Sequence, residues 1–200
     1  MKNVSFFLLV MFSLAGTSGN TQSIVKIAGL GKVSLPAKME IQGGAYKDYV
    51  DAVKEINGVS ASNVIFQQKG LNSGKSGFDT YARVMFKTIY GDFETLSSSY
   101  SQQDVRQIND VFKQDVLGQS ELNNASILSW NTAVATTLNG YKSVRFGYKR
   151  KIGSNPVVNV QTYLLQNNDR MYLITFEGRT DSYNWQNTFQ IIKNSIIINK

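Results

Sequence analysis

Residues 128–177 constrain this chain more than any other stretch. Leu128, Trp130, Thr132, Val134, Thr136 and Leu138 alternate with smaller or polar neighbours up to Asn139-Gly140. Alternation puts one set of side chains on each face of a strand, and an Asn-Gly pair suits a two-residue hairpin turn, whose central positions need positive φ. The partner strand runs from Tyr141 to Lys151, turns at Gly153-Ser154-Asn155-Pro156 into Val157–Leu165, and returns through Asn167-Asn168-Asp169 into Met171–Glu177. The expectation is a four-stranded antiparallel meander.

Flanking segments add helices and shorter strands. Ile24–Ile27 and Val33–Leu35 read as extended pieces around Gly29 and Gly31, ended by Pro36. After Gly43-Gly44, residues Ala45, Tyr49, Ala52, Val53 and Ile56 recur at helical spacing before Gly58, which predicts a first helix. Asn63–Gln68 and Asp79–Tyr90 form a predicted hairpin with a long glycine-rich connection, stopped by Gly91-Asp92. A second helix opens at a capping box of Ser101 and Asp104, with Tyr100 placed to staple onto Val105. Val105, Ile108, Phe112 and Val116 share its apolar face, and Gly118 is expected to close it. A third helix, from about 182 to 194, aligns Trp185, Phe189 and Ile192, and Ile196-Ile197-Ile198 supplies a last strand.

This order of elements resembles the PsbP-like superfamily. The residues that carry the resemblance are the meander with its segment Asn168-Asp169-Arg170-Met171-Tyr172-Leu173-Ile174-Thr175-Phe176, the Trp185 helix, the closing apolar strand, and Leu35-Pro36-Ala37-Lys38-Met39-Glu40. The superfamily includes extrinsic photosystem subunits, a Ran-binding factor and bacterial envelope proteins of the DcrB type. The resemblance implies an α+β fold: a mainly antiparallel β-sheet flanked by helices on both faces, an α/β/α sandwich. It also implies an accessory or binding role and no catalysis. It carries no set of functional residues across, because members differ in function.

The first residues predict export. Met1-Lys2-Asn3, an apolar run from Val4 to Ala15 and the small or polar Gly16-Thr17-Ser18-Gly19-Asn20 follow the order of a secretory signal. The run is shorter than the roughly 20 apolar residues a membrane-spanning helix needs. Cleavage after Ala15 or after Gly19 fits the small-residue preference. The expected organisation is a signal peptide over 1–19 and one domain over 20–200, periplasmic or secreted. Loss of Lys2 lowers the formal net charge from +7 to +6.

Chemistry is narrowed by two absences: the chain has no cysteine and no histidine. Lipid attachment at a processed cysteine, disulfides, Ser-His-Asp and Cys-His nucleophiles and the usual zinc ligands all fall away. No cofactor and no metal site is expected. Paired carboxylates remain the common acid/base device, with Asp79, Asp92, Glu94, Asp169, Glu177 and Asp181 as members. A carboxylate-dependent hydrolase of surface or extracellular glycans is therefore the alternative to a binding protein. Glu177 and Asp181 sit where a carboxylate commonly caps the following helix. Ser73, Lys75 and Ser76 are the nearest cluster for a serine–lysine nucleophile.

The binding reading rests on charge. Lys142, Arg145, Lys149, Arg150 and Lys151 crowd one strand and its turn with no acidic residue among them. Period two splits them: Arg145, Lys149 and Lys151 share a face with Tyr141 and Gly147, while Lys142 and Arg150 go with Val144, Phe146 and Tyr148. The apolar company marks the second face as the inner one. Arg145, Lys149, Lys151 and Tyr141 form the candidate patch for an anionic envelope, glycan or protein partner. The same charges also serve to keep strands from pairing edge to edge.

Other signals are weaker. Gly70-Leu71-Asn72-Ser73-Gly74-Lys75-Ser76 is one residue short of a phosphate-binding loop and leads into a strand where that loop needs a helix, so it reads as a hairpin loop. Nucleic acid is not expected, since the aromatics among the basic residues fall partly on the core face. Tyr81, Tyr90, Tyr163, Tyr172, Trp130 and Trp185 are candidates for stacking on sugars, and Trp130 and Trp185 are expected in the core. Asn124-Ala125-Ser126 is a glycosylation sequon.

Overall fold

The computed structural model describes residues 22–43, 62–71, 81–95, 98–181 and 185–199. The expected signal segment, the expected first helix and Asn72–Thr80 of the glycine-rich connection lie outside the described residues.

Ten strands and two helices are described: β1 (Ser23–Ile27), β2 (Gly31–Leu35), β3 (Met39–Ile41), β4 (Ser62–Gln68), β5 (Ala82–Tyr90), α1 (Gln102–Leu122), β6 (Ala125–Leu138), β7 (Tyr141–Ile152), β8 (Val158–Asn167), β9 (Arg170–Arg179), α2 (Gln186–Ser195) and β10 (Ile197–Ile198). They form a seven-stranded sheet in the order β3-β4-β5-β9-β8-β7-β6 and a three-stranded sheet in the order β1-β2-β10. Every pairing is antiparallel among the described residues.

The meander forms as the alternation requires, β6 through β9 pairing in sequence. Asn139 (φ 47) and Gly140 (φ 83) both take the left-handed conformations of its first turn. Alternation in β6 is broken, however, by register shifts between Ile127 and Ser129 and between Asn131 and Val134. The shifts divide the expected set between the two faces, Trp130 opposite Tyr148 but Val134 opposite Arg145 and Leu138 opposite Tyr141, so Leu138 is buried as expected while Ala133 is buried and Leu128 and Val134 are exposed against expectation.

The main core gathers Phe66, Val84, Phe86, Tyr172, Ile174 and Phe176 from the large sheet with Leu30, Val33, Phe189, Ile192 and Ile196. Each such buried side chain contributes about 1.5–3 kcal/mol through removal from water. As the spacing predicts, Trp185, Phe189 and Ile192 are all buried here. The three-stranded sheet was not legible as a separate unit. It forms because β10 returns to pair with β2, about 165 residues earlier in the chain, through Ile198↔Gly31. Gly31 has φ 147, and a Cβ on it would lie 2.0 Å from the Ile197 carbonyl oxygen, so only glycine permits this approach.

A second, smaller cluster consists of Ala133, Val144 and Phe146, with Tyr100, Val105, Ile108, Phe112 and Trp130 packed against it. The capping box of α1 is present in both directions: Ser101 Oγ accepts from Asp104 N–H at 3.1 Å, and Ser101 N–H donates to Asp104 Oδ2 at 2.7 Å. Gly118 does not close the helix, which continues to Leu122. An interior glycine costs only about 1 kcal/mol, and the chain turns instead at Asn124 (φ 51). Asn109 Oδ1 accepts from Trp130 Nε1 at 2.9 Å and from the Ala133 N–H at 3.0 Å. It thereby ties α1 to the irregular part of β6.

Candidate functional site

The basic residues of β7 separate as period two requires. Arg145, Lys149 and Lys151 are all exposed. Arg145 lies between Val134 of β6 and Tyr163 of β8, Lys149 lies between Ser129 and Asn159, and Lys151 stands opposite Ser126. Neither flanking strand contains any charged residue, so no carboxylate on β6 or β8 offsets these cations. Gly147, between them, carries no side chain for a packing reason: a Cβ there would sit 2.6 Å from the Val160 carbonyl oxygen. Tyr141 shares the parity but not the environment. It packs half-buried against the main core, and its hydroxyl accepts the Ile198 N–H at 3.2 Å, which makes it a support for β10 and not part of the exposed patch.

Sequence reasoning missed Lys193 of α2. Its Nζ donates to Gln161 Oε1 at 2.9 Å and lies 5.1 Å from the ring centroid of Tyr163 and 4.8 Å from that of Phe176. Gln161 is the register partner of Gly147, and Tyr163 that of Arg145, so this lysine borders the same basic face. The only signal available in sequence was Lys193 near the end of a predicted helix.

The opposite parity of β7 is used differently. Lys142 Nζ donates to Ser99 Oγ at 2.7 Å, whereas Arg150 turns inward. Arg150 Nη2 donates to Glu177 Oε2 at 3.0 Å, and the Tyr81 hydroxyl donates to the same oxygen at 2.6 Å. The side chains of Arg150 and Glu177 are 25% and 10% exposed. Burial, reinforced by the Glu177 charge, pushes the Tyr81 phenol well above its ordinary value. Burial is the largest influence on Arg150 and lowers it, but the charge and hydrogen bond of Glu177 together with the fields of Tyr81 and Tyr148 outweigh it and hold the guanidinium more firmly protonated. Arg83 stands opposite Glu177 in register, its guanidinium 5.5 Å from the Tyr81 ring centroid. The Nε atoms of both Arg83 and Arg150 are buried without an acceptor among the described residues.

The carboxylate candidates are dispersed. Asp169 pairs with Arg170, Asp181 pairs with Arg179, and Glu94 accepts from Ser98, so neither Glu177 nor Asp181 caps α2. Asp92 is exposed in the turn after β5, and Asp79 lies outside the described residues. Glu94 and Asp104 line one cleft of about 320 Å³. There Asp104 is held below the ordinary carboxylate range by its hydrogen bonds with Ser101, the opposite of what a general acid needs. Of the sugar-stacking candidates, Tyr81, Tyr163, Tyr172 and Trp185 are buried, Trp130 is half-buried between Phe146 and Tyr148, and Tyr90 is exposed beside Arg170. Ser73, Lys75 and Ser76 lie outside the described residues. Asn124 of the sequon occupies the exposed turn after α1. No group of three or more metal-ligating side chains occurs among the described residues.

Architecture and comparison agree on the class: this is a PsbP-like α+β fold. The solution structure of cyanobacterial PsbP (CyanoP) from Synechocystis sp. PCC 6803 superposes with a TM-score of 0.51, covering 94% of this chain and 99% of that one at 16% sequence identity. Likeness at that identity concerns the fold alone. No protein-family description matches the chain, and no curated protein matches it either. Among the described residues no helix is long and apolar enough to cross a membrane.

Proposed function

We propose that this chain is an exported, non-catalytic binding or accessory protein, which uses the outer face of β7 to hold an anionic partner in the cell envelope or outside the cell. One observation carries the reading: Arg145, Lys149 and Lys151 project from a strand whose two neighbours are free of charge. Cations with no charged residue on either adjoining strand raise the local positive potential and attract extended anions such as polyanionic glycans, acidic headgroups or an acidic protein face. Lys193 extends the same field toward α2. Export is supported by the signal-like order of residues 1–19, and a stable fold without disulfides suits a chain with no cysteine.

The α/β/α arrangement belongs to the same reading. Phe112 of α1 packs on Phe146 with centroids 4.9 Å apart, and Phe189 of α2 packs on Phe176 at 5.4 Å. Register links Phe146 through Thr162 to Thr175, the neighbour of Phe176, so the two rings stand on opposite faces of the sheet.

Retention of the protein on a polyanion matrix tests the binding role. The variant Arg145→Ala/Lys149→Ala/Lys151→Ala elutes at clearly lower salt than the parent, and equal retention of the two rejects the proposal. Export is tested separately: the protein isolated from its host begins after Ala15 or Gly19, and an intact Met1 in the cytosolic fraction contradicts it.

A further inference from the structure

The inner end of β7 borders a cavity of about 300 Å³ that the outer basic face does not touch. Arg83, Arg150 and Arg179 line it, together with the side of Tyr81 and an apolar wall of Ile152, Pro156 and Val158. Three guanidinium groups around one small space are costly to assemble unless something negative balances them. Glu177 and Asp181 supply two negative charges. Glu177 Oε2 is already shared by Tyr81 and Arg150, and Asp181 takes two N–H bonds from Arg179 at 2.9 Å each. Among the described residues that leaves one positive charge in excess, centred on Arg83, which has no carboxylate partner there. The buried Nε–H groups of Arg83 and Arg150 also lack acceptors there.

We propose that this cavity is a binding site for a small organic monoanion, a carboxylate with a compact apolar body. The carboxylate pairs with the guanidinium groups that line the cavity and cancels the excess charge through charge-assisted bonds. The body lies against Ile152, Pro156, Val158 and the Tyr81 ring. A volume near 300 Å³ is at the lower end of small-molecule sites, which are mostly apolar with a few placed polar groups. The Tyr81 hydroxyl takes no part, because its proton is committed to Glu177.

Benzoate is a suitable probe, titrated into ¹⁵N-labelled protein while the arginine Nε–H resonances are followed. The expected result is a saturable shift of the Arg83 and Arg150 signals. Neutral benzyl alcohol and inorganic sulfate should each bind about tenfold or more weakly, the first for want of charge and the second for want of an apolar body. Arg83→Met removes the excess charge and weakens benzoate by about tenfold or more. Should that variant fail to fold, Ile152→Asp tests the same claim from the exposed rim, since a carboxylate there competes for the arginines and repels the ligand. The Arg145→Ala/Lys149→Ala/Lys151→Ala variant binds benzoate as the parent does, so this site and the outer face fail or stand separately. The proposal is overturned if benzoate produces no saturable shift, if sulfate binds as well as benzoate, or if Ile152→Asp leaves benzoate affinity unchanged.

Discussion

On a single strand, Lys149 and Arg150 are adjacent in sequence and opposite in use. Lys149 stands in water between two uncharged strands, whereas Arg150 reaches inward to a buried carboxylate two strands away. The outer cations ask nothing of the fold and are free to serve a partner. The inner one is part of a network whose members cannot be removed singly without leaving a buried charge or donor behind. A cluster of basic residues in a sequence therefore has to be divided by strand parity before it can be read as a binding surface.

The sharpest way to probe this division is to disturb the inner face. Phe146→Ala, which empties the contact with Phe112 and Trp130, is expected to cost about 3–5 kcal/mol in denaturant unfolding. Glu177→Gln follows at about 2–3 kcal/mol. That is below the 3–5 kcal/mol of a fully buried pair because Arg150 keeps a quarter of its side chain in water. Tyr81→Phe costs about 1 kcal/mol through the lost bond to Glu177. The outer triple variant Arg145→Ala/Lys149→Ala/Lys151→Ala sits at the other end, within about 0.5 kcal/mol per site. Equal destabilisation by the outer triple and by Glu177→Gln would erase the distinction between the faces.

Tyr81 also gives the inner face an alkaline signature. Its folded pKa is raised, so its contribution to stability is complete below the unfolded phenol value near 10 and is lost as pH rises beyond it. Tyr148, on the same face and shifted the same way chiefly by burial, adds to the loss. Unfolding free energy should fall from about pH 10 upward, and Tyr81→Phe should flatten that fall. An unchanged slope in the variant would remove Tyr81 as its source.

Much of this was legible in sequence because local rules decide it. The Asn139-Gly140 turn, the Ser101/Asp104 capping box, the buried Trp185-Phe189-Ile192 face and the parity of β7 each depend on residues a few positions apart. What escaped depends on distant partners. β3 is three residues long and exists by pairing with β4, and the β1-β2-β10 sheet joins the two ends of the described chain. The second shift in β6, between Asn131 and Val134, frees the Ala133 N–H to donate to Asn109 of α1, a contact which alternation within β6 does not encode. The charge on Arg150 was visible, but its pairing with Glu177 and Tyr81 required the order β7-β8-β9-β5. Tyr141 was placed on the correct face and in the wrong company, because parity does not say where β10 returns.

Amide shift mapping during titration with a sulfated polysaccharide reads the location of anion binding directly. The account predicts perturbations centred on Arg145, Lys149 and Lys151 and spreading to their register partners Val134, Ser129 and Asn159. Perturbations centred on Lys26 and Lys32 of the small sheet, with β7 silent, would contradict it.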